Sequence, residues 1–313
     1  MHLYFTDIIF VSAQDRSYFC KEDGMKRLLL PLILVLVLAV SASASAAPED
    51  ETLSHARRGV VTLRAGDVTS AVDVEAAMAM ATQDGTRSGV VILDGRDGPF
   101  VYDSEDRSIN VFHPNVTFRG TNGAMFTNCA DGFFFDDLPT DNVRIEGLIM
   151  RCENSFIYGG VNKRNIVIKN NTALTPNTSI DATPGKGWVI SGNIFESAVT
   201  SVILTQGVNS IISNNHIRAQ IGVVLRGCSN THVYANTIWA LEQGVLLQNE
   251  TVKSQVKNNT VLGVMQAGIY LDTSVQGNTI TRNSVLCAWG VACHTVSAEE
   301  DAAEVNFISR NQP

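Results

Sequence analysis

Four residues late in the chain, Arg226, Gln248, Asp272 and His294, recur at separations of 22, 24 and 22 residues. Each closes a short apolar phrase: "GVVLR", "GVLLQ", "GIYLD" and "GVACH". If those phrases are strands in register, the four side chains form one polar row. Such a row suits one kind of chemistry: a cation neutralises a carboxylate while a base removes the proton on the neighbouring carbon. Arg226 suits the first task. His294, oriented by Asp272, suits the second, because imidazole titrates near working pH. Thr205, Gln248 and Tyr270 would line a substrate beside these three candidate catalytic residues. The competing reading makes them all solvated ends of strands.

The row exists only if something holds the phrases in phase. From about Val116 one template recurs: apolar, any, Gly or Asn, Asn, any, apolar. It reads "IKNNTA", "ISGNIF", "ISNNHI", "VYANTI", "VKNNTV" and "ITRNSV", and its anchors Ile168, Ile190, Ile212, Val233, Val256 and Ile280 lie 21 to 24 residues apart. A period of that size signals stacked units that bury a core only against their neighbours. Each period holds short strands of alternating side chains and no room for a helix. The expected fold is therefore all-β, a right-handed parallel β-helix. A leucine-rich repeat would need its Leu-x-Leu consensus and a helical segment, and a sandwich would not repeat Asn at fixed phase. Asn171, Asn193, Asn215, Asn236, Asn259 and Asn283 are expected to stack at about 4.8 Å and bond amide to amide along the axis. The Gly or Asn before most of them tolerates a left-handed corner.

The Asn-rich coils, with "NVTFRG" and "NIVIKNN", resemble the right-handed parallel β-helix repeat family within the pectin-lyase-like superfold, over roughly residues 88–313. The resemblance implies the fold but no single activity, because the family spans lyases, hydrolases, epimerases and noncatalytic proteins. The "NTD", "DD" and "GHG" set expected of polygalacturonases is missing apart from "FDD" at 135–137.

Ahead of the coils, "MKRLLLPLILVLVLAVSASASA" has a basic pair, an apolar run and an A-x-A site, the pattern of a secretory signal peptide over residues 25–46. Met25 then reads as the start, residues 1–24 as an upstream extension, and the mature chain as periplasmic or secreted without stable membrane insertion. Residues 47–87 form an N-terminal segment with a short capping helix, "SAVDVEAAMAMATQDG". Its expected buried side is Val72, Ala76, Ala79 and Met80, with Gly85 as the stop. The β-helix follows over 88–313, and the acidic "SAEEDAAEV" at 297–305 interrupts the last repeat.

Taking Val223, Leu225, Val245, Leu247, Ile269 and Leu271 as inward, the outward strand ends are Asp136, Gly159, Thr183, Thr205, Arg226, Gln248, Asp272 and His294. The outward position before them runs Phe134, Ile157, Asp181, Ile203, Val224, Leu246, Tyr270 and Ala292. The Gly or Ser at 132, 155, 179, 201, 222, 244, 268 and 290 shares this outward parity. That apolar stripe calls for a cover, either a loop or residues 47–58, or else a long ligand or partner chain. Glycoside hydrolysis fits less well, since Asp181 and Asp272 are four rungs apart, roughly 19 Å, against the ~5–9.5 Å that two carboxyls need.

An exported chain permits disulfides. Cys129 and Cys152 each lie four residues before a Phe one coil apart, which places them within bonding reach. Cys287 and Cys293 share a coil and can meet across a corner, leaving Cys228 over. No His or Cys spacing resembles a zinc or copper site, so no metal and no cofactor are expected. Trp188, Trp239 and Trp289 are candidates for stacking on sugars or for the core. His113, His216 and His232 read as solvated.

The net charge of −8 argues against a nucleic-acid partner, which would want a basic patch. The favoured function is binding of an extended polysaccharide, with lyase-type processing of that polymer left open. The alternative is a noncatalytic envelope or surface protein that uses its coil face for protein partners or self-association. A third option, help in copper-site maturation, is weakened by the missing thiol, thioether or imidazole cluster.

Overall fold

The computed structural model describes residues 59–102, 107–136, 140–160, 162–299, 301–302 and 306–312. The signal-peptide span 25–46 and the expected cover 47–58 lie outside the described residues. The described chain winds as a right-handed parallel β-helix. One face is an eleven-stranded parallel sheet running from Val60–Arg64 to Phe307–Ser309. The rest of the wall is a sixteen-stranded sheet folded into two legs, with a small three-stranded sheet at a corner. Two long strands, His216–Arg226 and Thr237–Gln248, run round the bend and join the legs. Their ladder is irregular between Ala219 and Ile221, where the backbone turns.

The expected asparagine file is present. Nδ2 of Asn171 donates to Oδ1 of Asn193 (3.1 Å), and the pattern continues through Asn215, Asn236, Asn259, Asn283 and Asn311 at 2.9–3.0 Å. Each amide also bonds a backbone carbonyl, as Asn215 does to Ile190 (3.0 Å), and each Oδ1 accepts a backbone N–H as well. The ladder therefore satisfies corner groups that burial would otherwise leave unpaired. The residue before each rung is left-handed, including Ala235 (φ 54°) and Arg282 (φ 56°), which have no intrinsic taste for it. The hydrogen bonds of the file hold them there.

The inward set is fully buried, from Val223 and Leu225 to Ile269 and Leu271. Three expectations are corrected by register. In an early coil Ile157 pairs with Phe133 and Ile180 and is buried, so Tyr158 takes the outward place beside Phe134, and Gly159 aligns with the inward Ala182. In the last coil His294 pairs with Ala267, while Ser297 stands beside Tyr270. "GVACH" is not the strand expected; its first four residues belong to a loop closed by Cys287–Cys293, and His294 opens the strand. Nor does the glycine column face outward. A Cβ at Gly222 would sit 2.4 Å from Ile238 and 2.5 Å from the Gly244 carbonyl oxygen, so glycine is required by close approach at the bend.

The capping helix spans Ala71–Thr82, with Asp73 accepting the N–H groups of Thr69 (2.8 Å) and Ser70 (2.9 Å) at its start. It buries Ala71, Val74, Ala77, Met78 and Ala81, and Val72, Ala76 and Met80 are exposed, the reverse of the expected side. Alanine, valine and methionine surround this helix, so two stripes had the right period and only packing chose between them. The strand Val60–Arg64 precedes the helix and pairs with Gly89–Asp94, so the stack begins one strand earlier than the first coil read from the sequence.

The expected Cys129–Cys152 bridge forms, and so does the pairing of Cys287 with Cys293 that the sequence left open. Cys129–Cys152 links two coils, Cys287–Cys293 closes its loop, and Cys228 is free and buried. Burial pushes the Cys228 thiol up to about 11, which leaves it inert at neutral pH. Two disulfides point to an oxidising, non-cytoplasmic setting. No helix among the described residues is long and apolar enough to cross a membrane.

Candidate functional site

The second leg of the bent sheet carries the candidate residues on its outer face. Parallel pairing sets them in columns about 4.8 Å apart per rung. One column runs Phe134, Tyr158, Asp181, Ile203, Val224, Leu246, Tyr270 and Ser297. Two residues further along, Thr205, Arg226 and Gln248 occupy successive rungs. Three of the expected site residues are thus neighbours, and Tyr270 stands in the adjoining column.

Arg226 is the centre of this arrangement. Its Nε is buried and has no hydrogen-bond partner. Asp181, two rungs back and one column over, is half-buried. Burial raises its carboxyl above the usual range, and the Arg226 charge pulls it part of the way back. Among the described residues no direct ion pair joins the two, although each feels the other's field. A buried guanidinium N–H without a protein partner is costly, which singles out Arg226 as the candidate contact for a ligand oxygen or a water. Beside Arg226 lies an open depression of about 460 Å³ lined by Thr205, Gln206, Gly227, Asn249, Glu250 and Ser274.

Aromatic groups flank the pair. Phe134 and Tyr158 stack with centroids 5.8 Å apart and planes 24° apart, and Tyr158 is one rung from Asp181. On the other side the Tyr270 hydroxyl donates to Glu299 (2.5 Å), which holds its proton on. The intervening Val224 is buried, so the apolar stripe is interrupted and less exposed than expected.

The remaining two expected catalytic residues are not brought together. Asp272 follows Leu271 and accepts the backbone N–H of Ser274 (3.0 Å) and the hydroxyls of Thr273 and Ser274, both 3.1 Å. Those bonds, the Ser274 N–H foremost, hold its carboxyl below the usual range. His294 begins its strand opposite Ala267, at the far end of the leg from Asp272. The inserted disulfide loop displaces it from the row. Glu299, following Ala298, lies next to Asp272 in its stead. The partnership of Asp181 with Arg226 was missed because it crosses two rungs diagonally, a relation no single spacing records. Tyr158 was within reach of the sequence, since it aligns with Phe134 once the coil is shifted by one. Trp188 is core, and Trp239 and Trp289 are exposed.

The family described as right handed beta helix region matches residues 155–308, the stretch that carries all of this face except Phe134. Among solved structures the β-helix is similar to the surface protein and adhesin PfbA of Streptococcus pneumoniae (12% identity, 80% of this chain and 97% of that one, TM-score 0.49). It is also similar to ORF18 of Geobacillus virus E2 (11% identity, 80% of this chain and 61% of that one, TM-score 0.52). A third is the A-module of the Azotobacter vinelandii mannuronan C-5 epimerase AlgE6 (14% identity, 79% and 100%, TM-score 0.35). At these identities the likeness is one of fold. No curated protein matches the β-helix chain.

Proposed function

We propose that the outer face of the second leg binds an extended polysaccharide. The reading is carried by the unpartnered, buried Nε of Arg226 beside the half-buried Asp181 carboxyl. A cation and a carboxyl held near each other but not bonded can grip the oxygens of one sugar residue from two sides. The stacked Phe134–Tyr158 pair, one rung beyond Asp181, offers apolar rings to the next sugar, and Thr205, Gln248 and Tyr270 add polar contacts on the other side. A polymer lying along the axis would meet these groups in succession. The chain is read as exported to the periplasm or beyond through residues 25–46, where such polymers occur.

Lyase-type processing is the finer reading of the same face. Arg226 keeps the role of neutralising a sugar carboxylate. The role of proton-abstracting base moves from His294 to Asp181, because Asp181 lies within the field of Arg226 and burial raises its carboxyl above the usual range. Asp272 is left as the anchor of its turn.

The test is titration of the purified chain with acidic and neutral polysaccharides, with binding read by calorimetry and cleavage by new unsaturated ends. Arg226→Ala should weaken binding by about tenfold or more, the scale of one charge-assisted hydrogen bond. Unchanged affinity for every bound polymer would remove this face as the site.

A further inference from the structure

One group of exposed large apolar side chains lies at the bend and on the first leg, away from Arg226. Trp239 (42% exposed), Leu241 (52%), Met265 (42%), Leu286 (63%), Trp289 (103%) and Val291 (38%) are the large apolar side chains there. They are contiguous. Trp239 pairs with Leu262 and Leu262 with Leu286. Met265 N–H donates to the Leu241 carbonyl (2.9 Å), and the next rung leads through Ala288 into Trp289. At about 200 Å² per large side chain these exposures amount to roughly 700 Å², more than the few hundred Å² usual on a monomer.

Trp289 and Val291 stand on the six-residue-separation loop closed by Cys287–Cys293. A disulfide that pins an exposed tryptophan in place removes ordering entropy that binding would otherwise cost. The area is close to the ~800 Å² that each partner contributes to a standard interface. Of the nearest charges, Arg218 and Glu196 neutralise each other (3.0 Å), and Glu242, next to Leu241, accepts the Gln220 amide (2.7 Å) and keeps its negative charge. An anionic lipid surface fits poorly, since the chain carries a net charge of −8.

We propose that this apolar ridge is a self-association surface, pairing with the same ridge of a second copy of the chain. An apolar ridge is complementary to itself, as a twofold contact requires. Trp239 and Trp289 are its aromatic anchors, the kind of residue that carries most of the binding energy in such contacts.

Sedimentation equilibrium of the purified chain across the micromolar range should show a dimer. Trp289→Ala should weaken association at least tenfold, and Leu241→Asp or Met265→Lys should give a monomer with an unchanged far-ultraviolet spectrum. Arg226→Ala should leave the dimer intact, so this test and the polysaccharide titration fail independently. A wild-type chain that stays monomeric throughout that range overturns the proposal. So does a dimer indifferent to both charged substitutions, or a monomer that floats with phosphatidylcholine vesicles through Trp289.

Discussion

At the scale of single residues, Asp181 joins local physics to the proposed function. Its carboxyl is raised by burial, and Arg226 only partly compensates. The native state therefore holds the proton more tightly than the unfolded chain. The contribution of Asp181 to stability is greatest below the ordinary carboxylate value of 3.8 and is lost as pH rises through the raised one. Asp181→Asn removes that penalty. It is expected to raise the melting temperature at pH 7 and to leave it unchanged at pH 3, as thermal unfolding at the two pH values would show. Arg226→Ala should move the Asp181 titration further up, followed by carboxyl NMR shifts. A melting temperature equally altered at both pH values would mean packing, not charge, governs the site.

At the scale of elements, the asparagine file decides how the coils hold together. Asn215 accepts from the N–H and Nδ2 of Asn193 and donates to Ile190 and Asn236. Asn215→Ala leaves several buried groups unpaired and is expected to cost about 3 kcal/mol or more, at ~1–3 kcal/mol per orphaned group. Asn311, at the last described rung, has a neighbour only on one side, and its replacement by Ala should cost about 1 kcal/mol. Urea unfolding of both variants measures the difference. Equal costs would show that the file does not act as a chain of mutual supports. This element was legible in the sequence because each asparagine meets its homologue at one period. The helix face was not, because its apolar residues surround it and only contact with Gly89 and Asn110 selects a side.

At the scale of the whole molecule, the stack is a one-dimensional object whose neighbouring coils support each other. Cys129–Cys152 ties two early coils across 23 residues. Removing it as the double variant Cys129→Ser with Cys152→Ser is expected to cost about 3 kcal/mol by the chain-entropy account. Denaturant midpoints with and without reductant would check this. The reductant should add little to the double variant beyond the effect of opening Cys287–Cys293.

From sequence alone the period, the asparagine phase and the inward apolar parity determined a parallel stack, and the cysteine placement pointed to Cys129–Cys152, leaving Cys287–Cys293 to the structure. Those features repeat at every rung, so each copy corroborates the rest. What only the tertiary structure decided were the departures from the repeat. Ile157 turned inward in favour of Tyr158, the Cys287–Cys293 loop carried His294 away from Asp272, and Arg226 found Asp181 across two rungs. Register within a strand is set by pairing with the neighbouring coil, and a diagonal contact depends on how two coils lie on each other. A periodic code specifies the scaffold, while the site is made where periodicity is broken.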